Sequence, residues 1–536
     1  MGERKRRKMT ILFTVTFFAL VLLLFLPSTG WIVRQQLRML FTTAPEKALM
    51  LLLGIKAKYI GLSESKAQKL EEWVKQGLKD AAERNPNDLP VQISSVLLTT
   101  PHTEVPKRLQ ELLKRFPKEP TLLAAILRHH CSRPLKQMSA KEVATFEWIA
   151  REGERVDPQN AYFPMMRAAV LFAARKEEEA LKALVQASKK SRWDNYAVAE
   201  AVGNLRLFET AFGRMNGVTK AVLAEMVLEP DLSYLRSAAR SAVERAIKLE
   251  REGKFDEGLK IRLTLIRCSK LIRETKGSSY APLVGIAIAY IAAGRPRGKP
   301  HPQLPPQTDI AKASAVVRER FVSYLKEIGR WKEASWVEAE LKAGAEMRSR
   351  IHEQLQRFNL KNFQDAALAV ALNWALNLTI LGAVILLAIL GAVATLIERT
   401  RLKQYRWAAG LLILCWLATM FAFWFNKPFA FVFDLYAILF DLLGLLESKA
   451  IELAYEMSAV WRLLSRVTGI GLIAFITSMT MIVAAIVAVR RGESFWTKMK
   501  EIAFVTACFL LLTYASILPM TAQCESQIIR LLPSGF

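Results

Sequence analysis

The chain has 536 residues, 52% of them hydrophobic, yet it carries 75 Lys plus Arg against 49 Asp plus Glu, a formal net charge of +26. The charge is segregated: residues 34–362 hold 57 basic and 38 acidic side chains, a net of +19, while the two flanking segments are poor in charge. That distribution excludes a purely soluble enzyme and a purely membrane-buried transporter, and leaves a large charged domain attached to a membrane.

The N-terminus reads Met-Gly-Glu-Arg-Lys-Arg-Arg-Lys and is followed by an apolar run over 10–26. A basic stretch before a hydrophobic core is either a cleaved signal or an uncleaved anchor. No small-x-small cleavage site closes the run, and Trp31 extends it toward an interface, so residues 1–33 are read as a cytoplasmic tail and transmembrane anchor. Five cysteines, at 131, 268, 415, 508 and 524, are too scattered for a disulfide framework.

Residues 34–362 are rich in Ala, Leu, Lys, Glu and Arg, with apolar residues at spacings of three and four, as in Leu109, Leu112, Leu113 and Phe116. Amphipathic helices follow from that period. Breaks at Asn85-Pro86-Asn87-Asp88, Phe116-Pro117-Lys118-Glu119-Pro120 and Asp157-Pro158-Gln159-Asn160 separate them. After Asp157-Pro158 comes a helix with Ala168 and Leu171, a short turn at 175–177, and a helix with Ala180, Leu184 and Ala187. A second copy carries Ala246, Leu249, Gly253, Phe255 and Gly258, and a third Leu325, Gly329, Trp331 and Ala334. A lone first helix of the same kind has Leu283, Ile286, Ala287, Tyr290 and Gly294. Small residues at these spacings are where the two helices of a hairpin approach closely.

These units resemble tetratricopeptide repeats, with a small residue in each helix and a Gly and an aromatic at the turn. The resemblance covers about half of residues 60–350, and no unit is complete: Pro164 and Arg167 stand where the family has bulky apolar residues, and the 283 unit stops after one helix. Its insert, 295–307, holds five prolines and three basic residues and is expected to be extended. The resemblance implies an array that binds protein partners, and the basic residues at 4–8, which keep the N-terminus inside, put that array on the extracytoplasmic side. A generic helical array accounts for the same small residues without any binding role.

Toward the C-terminus, apolar runs over 366–397, 407–425, 467–489 and 502–520 are each long enough to cross a membrane. The run over 428–446 carries Asp434 and Asp441 in its interior. Short loops on the cytoplasmic side retain Lys and Arg. Placing 399–406 and 490–500 on that side requires 427–466 to form a re-entrant or interfacial hairpin, with five crossings in all. Asp434 and Asp441 lie two helical turns apart, with Ser448, Glu452 and Tyr455 continuing their face. They are candidates for proton or cation binding, against a plain amphipathic helix whose acids face water. Asn373 and Asn377 are read as helix-to-helix hydrogen bonders.

His129-His130-Cys131 is the local cluster with metal-capable side chains, but neighbours about 100° apart on a helix cannot share one ion, so no metal is expected. No metalloprotease, phosphate-loop, nucleophile-elbow or dinucleotide motif occurs, and neither cofactor nor catalytic residue is assigned. The basic residues are interleaved with Glu, as in Arg175-Lys176-Glu177-Glu178-Glu179, so nucleic-acid binding is disfavoured and an anionic surface is the better partner for the charge. The expected architecture is thus all-α: a helical-hairpin, tetratricopeptide-like array over 34–362 and a transmembrane helix bundle over 363–536. The leading functional expectation is a membrane-held scaffold for protein–protein interactions at the cell envelope. The alternatives are a transport or export component, and a membrane enzyme acting on envelope polymers through acids such as Glu452 and Glu456.

Overall fold

A computed structural model describes residues 25–26, 29–41, 63–131, 138–215, 219–220, 223, 227, 229–275, 280–298, 310–357, 360–399, 414 and 472–531. Among the described residues the chain is helical throughout and contains no strand. Asp434, Asp441, Ser448, Glu452, Tyr455, Glu456, the 10–24 part of the first apolar run, all of the 407–425 run except residue 414, and most of the proline-rich insert lie outside them. The chain divides into two compact units, one of residues 76–211 and 223–359 and one of residues 1–75, 212–222 and 360–531.

The first unit begins within α2 (Glu64–Arg84) and continues through α3 (Leu89–Thr99), α4 (Val105–Arg115), α5 (Pro120–His130) and α6 (Ala140–Val156). The Pro-containing breaks fall between these helices. Asp88 caps α3 by accepting from the Val91 amide at 3.3 Å, with Pro90 following inside the first turn. Ser139 and Glu142 form a reciprocal capping box at the start of α6.

Three helical hairpins follow: α7 (Tyr162–Ala173) with α8 (Glu177–Ala187), α10 (Asp231–Arg251) with α11 (Phe255–Arg273), and α13 (Ile310–Glu327) with α14 (Trp331–Arg357). Single helices α9 (Ala197–Phe212) and α12 (Ala281–Ala293) stand between them in the chain. The first two hairpins stack in parallel, α7 on α10 and α8 on α11, and α12 packs on both helices of the second hairpin and on α14. One continuous apolar core runs from Leu89 to Leu341.

All three hairpins turn the same way. Arg175, Gly253 and Gly329 have φ of 60°, 83° and 76°, the left-handed region. In each turn the next amide returns to the carbonyl five residues back: Lys176 to Leu171 and Lys254 to Leu249, both at 2.9 Å, and Arg330 to Leu325 at 2.8 Å. This is the Schellman closure, which satisfies carbonyls left over at a helix end. Leu171, Leu249 and Leu325, the residues that accept these bonds, are all buried.

The second unit holds α1 (Gly30–Phe41), α15 (Leu360–Arg399), α16 (Leu472–Arg491) and α17 (Phe495–Leu531). Three of its stretches, Leu376–Glu398, Leu472–Arg491 and Phe495–Ser526, are long and apolar enough to cross a membrane. The α16–α17 turn repeats the closure seen in the array: Gly492 has φ 59° and the Glu493 amide returns to the Ala488 carbonyl at 3.0 Å. α15 and α17 run antiparallel along their length. Large apolar side chains such as Phe475, Val489, Phe509 and Leu512 face outward from α16 and α17, as lipid contact requires.

Candidate functional site

The residues expected to mark close helix contacts take several different roles. Ala168, Ala180, Ala187, Ala246 and Ala334 are fully buried. At Gly258 a β-carbon would stand 2.7 Å from Glu250 Cγ and 2.9 Å from the Ala246 carbonyl oxygen, so α10 and α11 touch there backbone to backbone. Gly253 and Gly329 have nothing within 4 Å of such a carbon; their part is the left-handed turn alone. Ala287 is half-buried, and α12 makes its closest approach at Gly285, where a β-carbon would meet Arg273 N at 2.7 Å. Gly294 closes α12 in an extended conformation and offers its carbonyl to Arg262.

The aromatic residues at the turns are not core. Trp331 is 63% exposed with the Lys326 ammonium 6.0 Å from its ring, and Phe255 lies half-buried under the Arg297 guanidinium at 5.2 Å. The second and third turns stand side by side and enclose a shallow cleft lined by Gly253, Phe255, Asp256, Ile328, Gly329 and Arg330. Arg330 bridges it by pairing with Asp256 at 2.5 Å.

Beneath the hairpins lie ionic clusters that spacing in the sequence did not reveal. Arg262 and Glu250, on facing helices, are both fully buried, with Nε to Oε1 at 2.6 Å and Nη2 to Oε2 at 3.1 Å. The same guanidinium donates to the carbonyls of Ala292 at 2.6 Å and Gly294 at 2.7 Å, and so serves as the cap of α12. Glu250 also accepts from the Arg297 amide at 2.8 Å, in a segment where Arg295 and Arg297 adopt positive φ. Farther along, Arg273 and Lys270 reach Glu340 at 2.6 and 2.9 Å. Burial works to raise the Glu340 carboxyl, but its two cationic partners outweigh it and hold the group below the usual range.

A second polar junction joins α5, α7, α9 and α10. Arg128 donates to the Asn195 carbonyl and to Glu200. The Asn195 side-chain amide donates to Glu229 at 2.7 Å and Asp231 at 3.2 Å. Burial raises the Asp231 carboxyl to about 6; Arg128 opposes that and Glu229 adds to it. Burial likewise pushes the Cys131 thiol up, which leaves it a poor nucleophile. The preceding histidines sit near the end of α5, with the His129 ring 4.6 Å from that of His102. No group of three potential metal ligands occurs among the described residues.

In the apolar helix pair, Asn377 donates to Thr521 at 2.7 Å and Asn373 to Cys524 Sγ at 3.7 Å, so both asparagines bond across the helices. One turn away Trp374 Nε1 donates to the buried Glu525 carboxylate at 2.7 Å. At the other end Glu398 takes bonds from Thr497 at 2.8 Å and from Lys500. The end of α15 and the α16–α17 turn therefore share one side, which also carries Arg490 and Arg491.

No known protein family matches the sequence, and neither the curated proteins nor the solved structures yield a match.

Proposed function

We propose that the chain is a membrane-anchored scaffold whose tetratricopeptide-like hairpins recruit partner proteins at the cell envelope. The observation that carries this reading is the shared register of the three hairpins: the same left-handed turn, a buried leucine four residues before it and a small residue, Ala180, Gly258 or Ala334, five residues after it. Stacked hairpins bury one face against their neighbours and leave broad surfaces for a partner. The turn edge offers an exposed Trp331 and Arg330 beside a cleft, and Trp and Arg are the residue types that anchor protein interfaces.

For orientation, we take the side holding Arg399, Arg490, Arg491 and Lys500 as cytoplasmic, in keeping with retention of positive charge there. An odd number of crossings must then separate 399 from 472, which a crossing over 407–425 and a re-entrant 427–466 supply. An N-terminal anchor with its basic end inside supports an array on the outer side.

The test is a photo-crosslinking amino acid placed at Trp331 or Phe255 of the full chain in its native membrane. Discrete protein adducts at these positions, absent from the same probe at Lys107, support the scaffold; identical adduct patterns at all three positions refute it.

A transport or export role is the second reading, favoured by Glu525, since a carboxylate buried between apolar helices is the kind of group ion pathways use. Equal proton uptake by vesicles holding the wild-type chain or Glu525→Gln removes it.

A further inference from the structure

Asp231 opens α10 at the junction where α5, α7 and α9 also meet, and it is fully buried. Its Oδ2 accepts from Asn195, while its Oδ1 is fully buried and the Tyr162 side chain lies against the carboxyl. Among the described residues, these charged or titratable groups act on it. Arg128 faces it from α5, Cys131 from the residue just after α5, Tyr162 from α7, and Glu229 from the segment before α10; Glu200, on α9, is the carboxylate that Arg128 already serves. Glu229 and Asp231 accept from the same Asn195 nitrogen, at 2.7 and 3.2 Å, so their accepting oxygens are less than about 6 Å apart, close enough for one negative charge to oppose the other.

Asn195 is also the hinge of a strained turn. Its carbonyl holds Arg128, and the next residue, Tyr196, has φ 60°, a conformation costly for an aromatic side chain. Tyr196 is kept there by its amide bonding Asp194 Oδ1 at 2.8 Å and its hydroxyl bonding Asp157 at 2.6 Å. The turn leads directly into α9, whose start is thus tied to the acid pair through one amide side chain.

We propose that Asp231 is a proton-operated latch for this junction. With Asp231 protonated, Glu200 is the one carboxylate drawing on Arg128, Asn195 is shared by one carboxylate and one neutral acid, and the strained turn is held. With Asp231 ionised, a third negative charge, the one fully buried, competes for Arg128 and Asn195, and the attachment of α9 and the start of α10 loosens. The fold is unaffected; local opening is what changes with pH.

The sign follows from linkage. An acid whose affinity for protons is higher folded than unfolded contributes stability that is complete in acid and is lost as pH rises through its folded value. With that value at about 6 against an ordinary 3.8, local opening should become about tenfold easier for Asp231 between pH 5 and 7.

The experiment is hydrogen exchange on the full chain in detergent micelles, corrected for intrinsic rates, across that range. Amides of 195–200 and 231–236 should lose about tenfold protection with rising pH relative to the same amides in Asp231→Asn. Glu229→Gln, which removes the opposing charge and keeps Asp231, should move the wild-type midpoint to lower pH. Parallel profiles for wild type and Asp231→Asn overturn the proposal, and so does an unmoved midpoint in Glu229→Gln, the variant that decides if Asp231→Asn fails to fold.

Discussion

The three hairpin turns invite a perturbation whose sign reverses between equivalent positions. Gly253 and Gly329 occupy the left-handed region with open space where a β-carbon would go, so an alanine there meets no atom within 4 Å and is penalised by backbone conformation alone. That penalty is about 1–2 kcal/mol for an L-residue. Arg175 already bears it at φ 60° in the first hairpin. Replacing Arg175 by Gly recovers that cost, offset by about 0.4–1 kcal/mol for the greater freedom of the unfolded chain. The same offset acts in both directions, so Gly253→Ala and Gly329→Ala should each destabilise by about 1 kcal/mol, and Arg175→Gly should stabilise by a similar amount. Gly258→Ala should cost more than either turn variant, because its added carbon would stand 2.9 Å from the Ala246 carbonyl oxygen between packed helices. The assay is denaturant unfolding of the full chain in detergent, followed by helical circular dichroism. Turn variants within about 0.5 kcal/mol of wild type, or a destabilised Arg175→Gly, would refute the claim that the three turns are equivalent.

Removing one partner of the buried Arg262–Glu250 pair strands the other, so Arg262→Met should cost about 3–5 kcal/mol; Arg262→Met with Glu250→Leu should regain part of it in the same unfolding assay. Because Lys270 and Arg273 depress the Glu340 carboxyl, its contribution is complete above the ordinary value of 4.5 and disappears as pH falls through the lower folded value. Glu340→Gln should thus destabilise at neutral pH and progressively less in acid, the opposite slope to that expected around Asp231. Between α15 and α17, a double-mutant cycle of Asn377→Leu with Thr521→Val should return about 0.6 kcal/mol of coupling, and a value near zero would place the asparagine elsewhere. A cysteine introduced at Arg491 should react with an impermeant thiol reagent only after the membrane is opened, while one at Lys107 reacts at once; the reverse pattern inverts the proposed orientation.

Local chemistry was readable residue by residue. The 3.6-residue period specifies amphipathic helices, proline forbids their continuation at the breaks 85–88, 116–120 and 157–160, and glycine tolerates the positive φ that a tight helical turn demands at 253 and 329. The apolar runs over 366–397, 467–489 and 502–520 likewise have only one economical conformation in hydrocarbon, because a helix satisfies its own backbone. Each of these statements depends on neighbours within a few positions in the chain, which is the range over which a linear sequence carries physical information.

What needed the tertiary structure was everything decided by partners far apart in the chain. Arg175 adopts the glycine conformation with no local signal for it, because the first hairpin stacks on the second and must turn where it does. Arg262, an ordinary basic residue in its helix, becomes the cap of α12 thirty positions away only once α11 and α12 pack. Asp231 and Arg128 are buried because four helices converge and exclude water from them. Glu525 lies just beyond an apolar run, and its burial depends on Trp374, 151 residues earlier. Propensity and periodicity set the helices; burial, charge pairing and proton affinity are properties of the packed assembly, since they depend on how much water the fold removes and which charge it leaves alongside.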